Sequence, residues 1–362
     1  SLVSVAQRTF SPDSDEPVGR TDFAFVGVTL PNGQRRAFIF GGMDQNKALR
    51  SVQLITEDLQ PSPSTIYDPA TITLTDRLPL LDAAGQLGGG FVAGVGTPRI
   101  FALGGFNNPG GAISTVSSLP PDDGGRVPTV PWIMEGTIGN NDTQIRLMET
   151  VSFANALMVF GGLQGDPGYE SVSPRVWVFI PGDNSGSGGF WTDSHPQTSP
   201  MPTPRYDFAT VLWVEGQTAY VYAIGGRAND GRSLATVERM RVSEPASGSW
   251  EALPDMSVPR AGCTAEVING KIYVFGGAVY PSAGFGTPLL VDSVEVFNPD
   301  YSIWSFSKPL PVGAVAGLES TVFASEFVQN APPDTVWVYG GLKADGYNTS
   351  LLEFLLEDRR NF

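Results

Sequence analysis

The sequence predicts an all-β fold made of six copies of one four-stranded unit closed into a ring. Three observations predict it. Gly and Pro supply 43 and 30 of the 362 residues, too many helix breakers for a largely helical chain. Apolar residues at 41% and aromatics at 10% provide the material of a packed core, which separates the chain from disordered compositions. A single phrase, a β-rich apolar run closed by Gly-Gly, recurs six times.

In chain order, residues 37–40 lead into Gly41-Gly42, 100–103 into Gly104-Gly105, 157–160 into Gly161-Gly162, 220–224 into Gly225-Gly226, 272–275 into Gly276-Gly277 and 336–339 into Gly340-Gly341. The first glycines are spaced by 63, 57, 64, 51 and 64 residues. Other marks keep phase with them. A Trp follows the second glycine by 27, 29, 24 and 27 residues (Trp132, Trp191, Trp250, Trp304), and an Arg precedes the first by 21, 15, 20 and 16 (Arg20, Arg146, Arg205, Arg260). Between glycines and Trp lies another strand, such as residues 292–297 or 174–179, so each unit reads as four short strands. The glycines admit backbone geometry that a side chain would block, and the Trp fills space between units. The second unit lacks the Arg and carries Gly88-Gly89-Gly90 instead.

The last unit is one strand short. After Gly340-Gly341 only residues 350–356 read as a strand, whereas residues 2–10 precede the first Arg-marked strand with no unit of their own. The expectation is that the N-terminal strand completes the sixth unit and closes the ring, which removes exposed sheet ends.

These marks resemble the kelch repeat, most closely over residues 256–260 and 271–277, and the resemblance runs through essentially the whole chain. It implies one six-bladed β-propeller domain over residues 1–362. It also implies that the loops after each diglycine and the loops entering each innermost strand converge on one face, around a central funnel.

Charge and special residues narrow the function. The 22 Lys and Arg against 37 Asp and Glu give a net charge of −15, which disfavours nucleic acid and anionic lipid. No run of 18 apolar residues offers a membrane span. Two sequons, at Asn141 and Asn348, lean towards a secreted glycoprotein, whereas the start at Ser1 fits signal cleavage and recombinant expression equally. Cys263 is the only cysteine and reads as a core residue; His195 is the only histidine and reads as a loop residue. Zinc and copper clusters and multi-histidine relays are thereby excluded, no cofactor or metal is expected, and phosphate loops, GxSxG elbows and EF-hand loops are missing. Galactose oxidase-like copper chemistry fails for want of histidines, and the Glu-x-x-x-Asp-x-x-x-His iron motif of nitrile-specifier-like propellers fails because Trp191 stands four residues before His195.

The expected funnel lining is Phe23, Met43, Gln86, Phe106, Leu163, Arg227, Tyr280, Phe285, Glu319 and Lys343, as substrate contacts. One echo carries more weight: Arg20-Thr21-Asp22-Phe23 and Arg205-Tyr206-Asp207-Phe208 share Arg-x-Asp-Phe in the first and fourth units, which lie opposite each other in a ring of six. Asp22, Asp207, Arg205 and Tyr206 are therefore the expected catalytic set, if the protein is an enzyme.

Without metal, thiolate or histidine relay, the chemistry that fits is governed by orientation: cyclisation, cycloaddition or isomerisation of a small molecule in the funnel. Architecture, acidity and sequons are similar to those of secreted fungal propellers that accelerate hetero-Diels-Alder cycloadditions in natural-product pathways. The alternatives are a secreted non-catalytic binding module, as lectin, adhesin or protein partner, and carboxylate-based sugar or lactone chemistry. Oligomeric state is open.

Overall fold

A computed structural model describes residues 3–30, 33–45, 47–58, 71–93, 98–107, 111–121, 130–139, 143–165, 168–182, 189–192, 198–243, 248–282, 286–325 and 335–356. Asn141, His195 and Phe285 fall outside these. Among the described residues there is no α-helix, and no helix long and apolar enough to cross a membrane.

Six antiparallel sheets follow one another along the chain, each with its innermost strand first. Blade one runs Ala24–Thr29, Arg35–Phe40, Val52–Asp58, Thr71–Arg77, and blade two Gly88–Val92, Arg99–Asn107, Gly111–Leu119, Ile133–Thr137. Blade three runs Glu149–Phe153, Ala156–Phe160, Val176–Ile180, Phe190–Thr192, and blade four Ala209–Glu215, Thr218–Ile224, Val237–Arg241, Trp250–Leu253. Blade five runs Thr264–Ile268, Lys271–Phe275, Val294–Asn298, Ile303–Phe306. Blade six has Ala316–Thr321, Thr335–Lys343 and Leu351–Leu356 from the C-terminal end of the chain, with Val3–Arg8 as its outermost strand. Each innermost strand touches those of the two neighbouring blades, and that of blade six touches that of blade one, so the six form a closed ring.

Closure is as the missing strand predicted. Val3 pairs with Leu356 and Arg8 with Leu351, and the Arg8 guanidinium binds the Glu353 carboxylate. The chain then crosses to the outer edge of blade one, where Ser11 N–H donates to Ile72 O at 2.7 Å and Asp15 N–H to Leu74 O at 2.9 Å. A second stitch lies at the inner edge, where Phe323–Ser325 leaves blade six and pairs in parallel with residues 27–29 of blade one. Gly27 is needed there, because a Cβ would stand 2.6 Å from Val322 O.

The cores lie between blades. Phe38, Phe40 and Leu54 of blade one pack with Ile100 and Trp132 of blade two, and the Trp132 and Phe40 rings are 5.2 Å apart. Trp250 reaches back to Phe160 of blade three and Trp304 joins the core between blades four and five, as expected of the Trp marks. The diglycines are the seams. Gly277 N–H donates to Val315 O of the next blade at 2.7 Å, and a Cβ on Gly276 (φ 58°) would meet that same carbonyl at 2.6 Å. Equivalent N–H donations join Gly42 to Ala84, Gly162 to Arg205, Gly226 to Arg260 and Gly341 to Arg20.

Candidate functional site

The loop entering each innermost strand carries one residue in left-handed conformation at the same phase: Asp22 (φ 50°), Gln86 (58°), Leu147 (52°), Asp207 (54°), Gly262 (57°) and Gly317 (67°). Each donates its backbone N–H to the carbonyl of the one before: Gln86 to Asp22 at 2.7 Å, Leu147 to Gln86 at 2.8 Å, Asp207 to Leu147 at 3.0 Å, Gly262 to Asp207 at 2.9 Å and Gly317 to Gly262 at 2.8 Å. Asp22 N–H closes the circle on Gly317 O at 3.3 Å. Six peptide groups thus form a hydrogen-bonded collar around the axis. An L-residue in this conformation costs about 1–2 kcal/mol, least for Asp, so the four side chains retained here are held against strain that glycine would relieve.

Those side chains and residues of the innermost strands below them line a narrow axial cavity of about 20 Å³, whose wall includes Asp22, Gln86, Leu147, Glu149, Asp207 and Glu319. Asp22 and Asp207 come from opposite blades, as the sequence echo anticipated, and each carboxyl leans towards a collar glycine: a Cβ on Gly317 would lie 3.2 Å from Asp22 Oδ1, and one on Gly262 3.4 Å from Asp207 Oδ1. Burial, followed by the charge of Asp22, pushes the Asp207 carboxyl up to about 8. Asp22 is raised by burial, against the Thr21 hydroxyl that donates to Oδ2 at 3.0 Å. Glu149 is pushed up to about 8 by burial, against a hydrogen bond from Thr210 Oγ1 at 3.3 Å. Glu266 is pushed to about 8 by burial, and Glu319 stands well above the carboxylate range through burial and then its acidic neighbours. The lumen is thus a set of carboxyls that cannot all ionise together near neutral pH.

Around the mouth stand two Arg–aromatic clusters. Arg227 lies between the rings of Tyr280 (4.2 Å) and Tyr206 (5.2 Å), with Nε donating to Gly231 O at 2.9 Å. Arg146 lies 5.2 Å over Phe106 and binds Gln86 and Glu170, beside Leu163. Lys343 is farther out, paired with Asp345 at 3.5 Å.

Four expectations require correction. Arg205 is not at the funnel: it is fully buried inside blade four, where Nη1 donates to Gly225 O at 2.8 Å and Nη2 to Glu238 at 3.1 Å. Arg20 and Arg260 occupy the same niche in blades one and five, on Gly41 O and Gly276 O. Phe23 is core, edge-on to Tyr339 at 6.0 Å, and Met43 is buried against Gly85. Asn348 is buried and takes the Arg role in blade six: its Nδ2, the atom a glycan would occupy, donates to Gly340 O at 2.9 Å.

Arg146 differs from the other three because it stands one residue later in frame. The buried niche of blade three falls to Ile145, and Arg146 matches Tyr206. The apolar residue after each collar position, Phe23, Leu87, Met148, Phe208, Cys263 and Leu318, is the sequence signal that would have set this frame. Glu149, Glu266 and Leu147 escaped the sequence reading. Cys263 is a core residue as expected, its thiol pushed up to about 12 by burial, which leaves it inert. Among the described residues no group of three or more His, Cys, Asp or Glu is arranged to hold a metal ion.

Comparison with known proteins places this geometry. The kelch motif family matches residues 259–311. An F-box/kelch-repeat protein of Arabidopsis thaliana is 34% identical over 116 residues, 32% of this chain and 28% of that protein. Kelch repeat and BTB domain-containing protein 12 of Danio rerio is 29% identical over 130 residues, 34% of this chain and 20% of that one, and beta-scruin of Limulus polyphemus is 31% identical over 121 residues, 33% and 12%. The matches thus span between about an eighth and about a quarter of these relatives' lengths. The solved structure of YjhT superposes with a TM-score of 0.64 over 94% of this chain and 96% of that one at 15% identity, a likeness of fold. Repeated diglycine seams, buried Arg anchors, six blades and these matches together make the chain a kelch-repeat β-propeller.

Proposed function

We propose that the chain is a non-catalytic binding propeller that takes its ligand on the diglycine face, over the collar. The observation that carries this reading is the collar itself: Asp22, Gln86, Leu147 and Asp207 keep their side chains at strained positions where blades five and six use glycine, and all four project into one axial cavity. The cycloaddition reading has no such support. An apolar natural-product intermediate calls for apolar walls with few polar groups, and this cavity is walled by carboxyls.

The test is to immobilise the full chain and screen it in parallel against a glycan array and a random-peptide display library. Capture that falls about tenfold in Asp22→Asn/Asp207→Asn, with Tm retained, supports the reading. Capture indifferent to that pair, or no capture in either screen, overturns it.

A second reading rests on Asp207 and Glu149, whose carboxyls titrate near 8 and could pass a proton to a bound sugar or lactone at neutral pH. Turnover of a chromogenic lactone that is lost in Asp207→Asn would favour it over simple binding.

A further inference from the structure

Resting on the binding reading above, we infer that the partner on the diglycine face is a protein segment bearing a Lys or Arg flanked by apolar side chains. Two independent features of the face lead there. The first is apolar exposure. The hairpins that follow the diglycines of blades three, five and six carry Tyr169, Leu289 and Leu342, which are 91%, 69% and 43% exposed. These hairpins leave the same end of the second strands, so the three residues lie on the collar's side of the molecule. Large apolar side chains exposed on the side of a concave opening are material for an interaction surface.

The second feature is the sign of the charge left over. Apart from Lys47, exposed on the hairpin after Gly41-Gly42, the cations of the face are already held by their own neighbours. Arg146 binds Glu170 and Gln86, Arg232 pairs with Asp230 at 3.0 Å, Lys343 pairs with Asp345 at 3.5 Å, and Arg227 is held between two tyrosine rings. Among the described residues no ion pair reaches Asp22, Asp207, Glu149 or Glu319. The whole chain carries −15. Near neutral pH these buried carboxyls keep only part of their negative charge, and a cation brought to the mouth favours the loss of further protons from them. What complements an apolar rim over such carboxyls is a basic side chain between apolar ones; nucleic acid and anionic lipid carry the wrong sign.

The experiment is selection of random peptides on the full-length chain, followed by affinity measurements on the peptides obtained. The expected result is enrichment of Lys or Arg next to Leu, Phe or Tyr. Binding of the selected peptide should weaken about tenfold in Tyr169→Ser/Leu289→Ser, whose side chains are too exposed for the change to alter Tm. It should also weaken several-fold as salt rises from roughly 0.05 to 0.3 M. Enrichment of acidic or purely apolar peptides, or affinity unmoved by the double substitution, overturns this inference while leaving the binding reading intact. Capture of glycans alone has the same consequence. No capture of peptide or glycan overturns both.

Discussion

Arg205 and Asp207 stand two residues apart in one loop and do opposite work. Arg205 turns into the blade, where its guanidinium meets the carbonyls of Gly225 and Thr236 and the Glu238 carboxylate and is fully satisfied. Asp207 turns to the axis, where it meets the Asp22 field and has no ion-pair partner among the described residues. The Arg niche is a frame position: it ties the entry loop of a blade to that blade's own diglycine carbonyl and third strand. The collar is a lumen position, where the ring of hydrogen bonds is complete in the backbone alone and does not depend on the side chains it turns to the axis. A change in the frame should therefore register as lost stability, and a change in the lumen as altered binding and pH dependence.

The largest effect expected is on the frame's closure. Deleting residues 1–10 removes the outer strand of blade six together with the Arg8–Glu353 contact and should lower stability by on the order of 5 kcal/mol, read as a large fall in Tm. An unchanged Tm would show that the ring closes without it. Next, Arg260→Ala strips the partner from a fully buried Glu295 at 2.7 Å and should cost about 3–5 kcal/mol, whereas Arg146→Ala at the mouth should cost under about 1 kcal/mol. Equal costs by chemical denaturation would erase the distinction between niche and mouth.

Within the collar, Gly317→Ala places a Cβ 2.8 Å from Thr21 Cβ at φ 67° and should cost about 1–3 kcal/mol, while leaving the Arg niches intact. The most gradual effect, small at any one pH step, is electrostatic. In the unfolded chain Asp207 ionises near 4, and in the fold only near 8, so between those values the folded state holds a proton that the unfolded state has lost. Stability from this group is then highest at low pH and falls as pH rises from about 4 to about 8, by at most about 1.4 kcal/mol per unit, and by less where the lumen is hydrated. Asparagine does not titrate, so the Tm advantage of Asp207→Asn over the parent protein should widen between roughly pH 5 and pH 8. A constant offset would mean that Asp207 is not held protonated by the fold.

Much of the frame was legible in residue order. The diglycines counted the blades, the orphan strand at residues 2–10 located the closure, and the Trp marks fell in the cores between blades. The lumen was legible only in part. The Asp22/Asp207 echo and the place of Glu319 in an entry loop are visible in residue order, and the opposition of the two Asp follows from a ring of six. Arg146 is not separable there from the three anchors, because an Arg at roughly the right distance looks the same whether it fills the niche or stands one residue beyond it. Asn348 reads as a glycosylation signal in one dimension and is a carbonyl clamp in three.

The sequence by itself determined the repeat, its number and the route by which the ring closes, because each depends on periodicity and on which strand lacks a partner. Only the tertiary structure decided which side chains face the axis. That depends on six left-handed residues whose peptide groups bond across blades, with Leu and Gln taking the conformation as well as Gly and Asp, so residue type alone does not announce it. The collar is a cooperative product of the closed ring, and the direction of its side chains exists only once all six blades are in place.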